Sequence, residues 1–311
     1  MSEPRLLDSM QMASFVANGY LRLDEAVPAE INERFLADIG HVDEHQIPGI
    51  REYYREIMNE SAIPRVGAGT PLWEAYPSDN ALAAMLDLPA VKGTIQSLVG
   101  RQPVFDHHFL HVTFPEHYYR AMGQDPVSQH THQDSTIDPR QAFDIQVMYF
   151  PHDVTDEMGG TRFVPGSHLR VVSNSSIGRY QNIRGQQHVV CKAGTLLFMH
   201  MGIWHGGGLN RSARLRYMFK IRICPTERQL RLWDTRDLQG DMSQQRPIFW
   251  TDPEDNGPSL QNTLMHFQPW YESDTARLEL MNRIRFWRYL TGDDNLDIDY
   301  WLTRVENEFA A

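Results

Sequence analysis

A chain of 311 residues, 41% hydrophobic and 22% charged, has the composition of a folded globular protein with a substantial core, as one large domain or two small ones. Its formal net charge of −11 argues against non-specific binding to nucleic acid or anionic membrane, both of which reward a basic surface. Cys191 and Cys224, outside any CxxC pair, imply neither a disulfide framework nor a cysteine zinc site, and with no leader pattern and no long apolar run the expectation is a soluble, cytoplasmic protein.

Helical signals dominate the first hundred residues. Asp8 or Ser9 can cap a helix ending near Gly19, and Pro28 can open a second in which Ile31, Phe35 and Ile39 recur at helical spacing. Asn80 can cap a third. After Pro89, the residues Val91, Ile95, Leu98 and Val99 form an apolar face that stops at Gly100. These read as outer-layer helices.

From about 103 to 224 the period shortens. The runs PVF, FLHVTF, DIQVMYF, TRFV, HVV, TLLFM and LRYMFKIRI are separated by Gly, Pro, Asp and Asn, a pattern of many short strands that predicts a sandwich or barrel. Residues 240–262 are rich in turn formers and read as surface loop. A final helix is predicted with Leu278, Met281, Ile284, Arg285 and Tyr289 on neighbouring turns, ending at Thr291-Gly292. The economical architecture is mainly β with flanking helices: a helical part over about 1–100, a β core over about 101–224, and a C-terminal segment over about 225–311 that covers the site or forms a homodimer interface.

The stretch HTHQDSTID at 130–138 concentrates two histidines and two aspartates. On an extended strand, residues i and i+2 share a side, so His132 and Asp134 can offer a nitrogen and a carboxylate oxygen to one metal ion. His41 and Asp43 repeat the H-x-D spacing, but after a helical stretch, where i and i+2 do not face each other, and they read as a solvated face. Further on, His205 stands at the end of an apolar strand before Gly206-Gly207-Gly208, where the backbone turns and a ligand can approach closely. The next strand alternates Arg214, Arg216, Met218, Lys220 and Arg222 against Leu215, Tyr217, Phe219, Ile221 and Ile223. A barrel lumen holding an anion explains four cations on one face; an edge strand with a solvated basic face is the bland alternative. Two histidines and one carboxylate suit Fe(II), and a guanidinium in the same lumen suits the distal carboxylate of 2-oxoglutarate.

The residues that carry a resemblance are now assembled: HQD at 132–134, DVTDEMGGTRFVPGSH at 153–168, WHGGGLN at 204–210, and Arg216 eleven residues after His205. In these, and in FVANGYLRLDEAVPAEINERF at 15–35, the chain resembles the phytanoyl-CoA dioxygenase family of Fe(II)- and 2-oxoglutarate-dependent oxygenases over roughly residues 12–224. The resemblance implies a double-stranded β-helix, a jelly roll, opened by a helix-strand-helix. It makes His132, Asp134 and His205 the iron ligands, Arg216 the partner of the 2-oxoglutarate C5 carboxylate, and Thr161 a second contact to that carboxylate. Met148 stands where the family often has Trp. The carboxylate at Asp134 points to oxygenation with O2, most simply hydroxylation, because halogenating relatives place a small residue there. A small organic substrate, of the kind found in secondary metabolism, follows from the same resemblance.

His107 and His111 fall on one face of a predicted strand and His108 on the other; which of these three, Gln146 and Met148 line the pocket stays open. His130 shares the face of His132, His168 belongs to a turn, and His200 lies on the strand face opposite His205. Tyr149, Trp204, Phe267, Trp270, Tyr271, Phe286, Trp287 and Trp301 read as core. Two readings stand beside the oxygenase: a catalytically silent metal-binding jelly roll acting as sensor or scaffold, and a cupin-like zinc hydrolase or isomerase, for which Arg216 is dispensable.

Overall fold

Asp8 starts the first helix by a reciprocal cap: its carboxylate accepts the Gln11 N–H at 2.7 Å while the Gln11 side chain accepts the Asp8 N–H at 3.0 Å. The computed structural model describes residues 3–40, 52–53, 63–135, 144–170, 172–179, 182–239, 260–265 and 273–296. Helix α1 (Ser9–Asn18) ends at Gly19, whose φ of 76° is left-handed and whose absent Cβ would stand 2.5 Å from His168 Nδ1, so this corner demands glycine. Strand β1 (Tyr20–Leu23) and helix α2 (Ala29–Asp38) follow, as the resemblance implies. Helix α3 (Ala81–Leu86) is capped by the Asn80 side chain, and α4 (Pro89–Val99) closes at Gly100.

The β core comprises β2 (Val104–Thr113), β3 (Ile145–Phe150), β4 (Thr161–Phe163), β5 (Gln187–His188), β6 (Thr195–His200), β7 (His205–Gly207) and β8 (Arg216–Cys224). PVF and FLHVTF belong to one continuous strand, with the register shifting between Phe105 and His107. Short helices α5 (Glu116–Ala121) and α6 (Asn174–Ile177) lie in the connections, and α7 (Leu260–Met265) and α8 (Ser273–Thr291) close the described chain.

Among the described residues these strands pair antiparallel and build two sheets, β1-β6-β3-β8-β2 and β5-β4-β7. Tyr20–Leu23 pairs with β6, so the large sheet recruits a strand from the otherwise helical N-terminal part. One face of that sheet, including Val112, Val147, Phe198, Phe219 and Ile221, joins the helices in the main core. Each such buried side chain contributes about 1.5–3 kcal/mol. On the other face, Met148, Leu197, Met199 and Met218 pack with Phe163 and Val189 from the small-sheet side. Two antiparallel sheets facing each other across this second cluster make the jelly roll.

Strand β8 lies between β3 and β2, which overturns the edge-strand reading of its cations: an interior strand has no solvated edge. Arg214 falls outside the strand and is exposed. In the C-terminal helix Met281 and Ile284 of the expected residues are buried, joined by Phe286, Trp287 and Leu290, while Leu278 and Arg285 are exposed. Glu279 and Arg283 are buried with them, ion-paired at 2.6 Å, and Glu279 also meets Arg170 at 3.2 Å. Leu260 to Asn262, expected in the loop, belong to α7; the rest of 240–262, His41 and Asp43, and Phe267, Trp270, Tyr271 and Trp301 lie outside the described residues. Among the described residues, no helix is long and apolar enough to cross a membrane.

Candidate metal centre

The HTHQD stretch is laid along β7. His132 N–H donates to the His205 carbonyl at 2.9 Å and His205 N–H to the His132 carbonyl at 2.8 Å, while Gln129 N–H reaches the Gly207 carbonyl at 3.0 Å. His132 and His205 are therefore a cross-strand pair, which places both rings on one side, their centroids 4.4 Å apart. Beyond the bridge the chain turns: Asp134 N–H donates to the Met201 carbonyl at 3.0 Å, and its carboxylate swings under the two rings. His205 thus opens a short strand of its own, because the apolar strand expected to end at it stops at His200 and residues 201–204 turn the chain. For the same reason His200 and His205 lie on different strands and not on opposite faces of one. Gly208 is required by a close approach, since a Cβ there would stand 2.5 Å from the Gly159 carbonyl oxygen.

Ligand atoms of His132, Asp134 and His205 all lie within 4.8 Å of one another. His132 Nε2 is 3.6 Å from Asp134 Oδ1, and His205 Nε2 is 3.3 Å from Asp134 Oδ2. His132 Nδ1 is 2.8 Å from the His130 carbonyl and His205 Nδ1 is 2.9 Å from the Ile203 carbonyl. A carbonyl only accepts, so each Nδ1 carries a proton and Nε2 is the nitrogen directed at Asp134, the atom that a metal held here would take. Two imidazole nitrogens and one carboxylate oxygen fit a non-haem iron. Burial by itself would raise the Asp134 carboxyl, but the hydrogen bond from His205 and the nearby charges of His205, Lys220 and His132 outweigh it and hold the group well below the usual carboxylate range. Burial and the His205 charge lower His132.

Arg216 points into the same lumen. Its guanidinium donates to the Met158 carbonyl at 2.8 Å and to Thr113 Oγ1 at 2.8 Å, and has no carboxylate partner among the described residues. It is 5% exposed, and burial pulls it down to about 10, which leaves it charged at neutral pH. A buried guanidinium held by a carbonyl and a hydroxyl can take a carboxylate as its counter-ion. Thr161 is buried across from Gly207 in the small sheet, and a Cβ on Gly207 would stand 3.5 Å from Arg216 Nη2. Sequence reasoning did not find Thr113, which faces Arg216 across β2 and β8.

The remaining predicted residues separate cleanly. The pairing places His107, Phe109, His111 and Thr113 on the inner face with Arg216, Met218, Lys220 and Arg222. His111 is pushed down to about 3, by burial first and then by Lys220, His205 and Arg216, so the imidazole is neutral beside the cage. His107 is exposed next to Asp106, and His108 points to the helical side, where Tyr76 Oη meets its Nδ1 at 2.8 Å. Met148 and Gln146 are both buried on the inner face, opposite Lys220 and Arg222. His130 contributes its carbonyl, its side chain being exposed. His168 holds the Val16 carbonyl at 3.1 Å, and Tyr149, Trp204, Phe286 and Trp287 are core.

The model of the phytanoyl-CoA dioxygenase family matches residues 15–218. Among solved structures, HygX from Streptomyces hygroscopicus, with nickel and 2-oxoglutarate bound, is 15% identical with a TM-score of 0.50, covering 76% of this chain and 94% of its own. The non-heme alpha ketoglutarate dependent carbocyclase SnoK from nogalamycin biosynthesis is 17% identical with a TM-score of 0.49, covering 79% of this chain and 95% of its own. No curated protein matches the sequence. At such identities the likeness to HygX is one of fold.

Proposed function

Because the chain belongs to the phytanoyl-CoA dioxygenase family, we propose that it is a non-haem Fe(II)- and 2-oxoglutarate-dependent oxygenase in which His132, Asp134 and His205 hold the iron. The observation that carries this is the pairing of a two-histidine, one-carboxylate cage with a buried arginine that has no carboxylate partner among the described residues, both on the inner face of the sheets. The chemistry the iron supplies when bound is oxygen activation coupled to conversion of 2-oxoglutarate into succinate and carbon dioxide.

The chain's own residues prepare that chemistry. His130 and Ile203 hold the two imidazoles with Nε2 presented. Arg216 binds the C5 carboxylate of 2-oxoglutarate and Thr161 supports it, while Met158 and Thr113 keep the guanidinium aimed. Met148, Met199, Met218 and Phe163 wall the inner space with apolar surface and keep water from the reacting atoms. With Asp134 present, the reaction is oxygenation of a small organic substrate, hydroxylation in its simplest form, and not halogenation. For a cupin-like zinc hydrolase or isomerase acting through metal-bound water, Arg216 would be dispensable.

The test is anaerobic addition of Fe(II) and 2-oxoglutarate, following the weak visible charge-transfer band of the chelate. A band that disappears in His132→Ala supports the reading; tight zinc binding and no band would return the site to a hydrolase or a silent scaffold.

A further inference from the structure

Lys220 sits on the inner face of β8, four residues beyond Arg216, where a strand's rise of about 3.3 Å per residue separates them by most of the lumen. Its side chain is 12% exposed, and its partner is Asp134, 3.4 Å from Nζ to Oδ2. That partner is one of the proposed iron ligands. A metal held by Asp134 would draw on the same carboxylate oxygen, so Lys220 would share its partner with the metal. Arg222, the next cation along, does not: Asp144 and Asp106 both pair with it.

The two flanking strands add groups to the same face. On β3, Gln146 is fully buried with neither atom of its side-chain amide hydrogen-bonded among the described residues, although its backbone, opposite Arg222 and two pairs from Met148 and Lys220, aims it at the inner face. Across β2, His111 is neutral and mostly buried, and its ring lies edge-on to Phe109 with centroids 4.7 Å apart. Phe109 stands directly opposite Lys220 and is 42% exposed, whereas Arg216 is 5% exposed, so the lumen opens toward solvent at the Lys220 end. If 2-oxoglutarate spans from the cage to Arg216, the Lys220 end is the side from which a second molecule arrives.

Resting on the 2-oxoglutarate reading, we propose that Lys220, with Gln146 and His111, forms a second anion position in the lumen, and that the molecule oxidised carries a carboxylate there. Lysine and glutamine supply N–H donors, the neutral imidazole supplies a third, and Phe109 and Met218 offer an apolar surface to the body of the molecule. The substrate class is a small organic acid with an apolar body.

The experiment uses the anaerobic Fe(II)-loaded protein with 2-oxoglutarate saturating, so that the Arg216 position is filled, and titrates propionate against propionamide while following the visible band. Propionate is expected to half-saturate at a concentration about tenfold lower than propionamide. In Lys220→Met that preference falls to about threefold or less, with half-saturation by 2-oxoglutarate unchanged. Gln146→Leu, similar in volume and checked by circular dichroism, weakens the preference without removing it, and serves if Lys220→Met does not fold. Equal half-saturation by acid and amide in the native protein overturns the proposal. So does a loss of about tenfold in 2-oxoglutarate affinity in Lys220→Met, which would give the lysine to the co-substrate's own carboxylate. If the native protein shows no band at all, the oxygenase reading fails first and this one with it.

Discussion

Ser167 Oγ accepts the backbone N–H of Trp204 at 2.9 Å, one residue before the proposed iron ligand His205, and donates to the Val164 carbonyl at 2.6 Å. The serine of PGSH is therefore a strut between the turn at 164–169 and the start of β7. It is fully buried, so Ser167→Ala leaves a backbone N–H without its acceptor. The expected loss is about 1–2 kcal/mol in urea unfolding, together with weaker metal binding, because the cross-strand pair of His132 and His205 loosens. Unchanged metal affinity would make the strut structural only.

Removing a ligand acts more directly. His205→Ala leaves His132 and Asp134 with Lys220 still 3.4 Å from the carboxylate, so the lysine takes over the charge the metal would have shared. Fe(II) affinity should fall by more than about 100-fold, beyond what loss of an outer hydrogen-bond partner produces, with little change in fold. Calorimetric titration of the metal measures it, and native-like affinity in the variant would remove His205 from the ligand set.

Arg216→Leu separates the oxygenase from a zinc enzyme. Losing a pair of charge-assisted hydrogen bonds to the C5 carboxylate should raise half-saturation by 2-oxoglutarate about 100-fold, while turnover at saturating co-substrate falls less. Thr113→Val removes the hydroxyl that Arg216 Nη2 holds at 2.8 Å and should produce a smaller shift of the same kind. A rate indifferent to both changes would leave Arg216 outside the reaction.

The sequence made the proposed ligands and Arg216 candidates because motif residues at fixed spacing point to chemistry, and it made β2, β3, β6 and β8 readable because their apolar residues run at strand length between turn formers. Strand β7 was hidden, since His205-Gly206-Gly207 carries no apolar pattern and exists only by pairing with residues 129–132 on one side and β4 on the other. In α8, Glu279 and Arg283 look like surface residues until they are seen to neutralise each other on the buried side beside Met281 and Ile284. Lys220 was visible as one cation among four; that its partner is Asp134 depends on the turn after His132, which spacing does not encode.

The last prediction concerns pH. His200 is fully buried under Phe286, and burial pushes it down to about 3; His168, its ring centroid 5.2 Å away, is held well below the ordinary histidine range by burial and by the charge of His200. Both bind protons more readily when the chain unfolds. Their contribution to stability is therefore complete above about pH 6.5, the unfolded value, and is lost progressively as the pH falls toward 3. At pH 5 His200 should cost about 2 kcal/mol relative to pH 7.5, and His168 acts in the same direction. Paired carboxylates such as Asp134 lose stability in the same direction only at lower pH, so the window between 7.5 and 5 belongs mainly to buried histidines, these two among them. Urea unfolding of the native protein and of His200→Gln at the two pH values gives the test: the acid-induced drop should shrink by about 2 kcal/mol in the variant. An undiminished drop would mean that His200 is already protonated, or already solvated, in the folded chain.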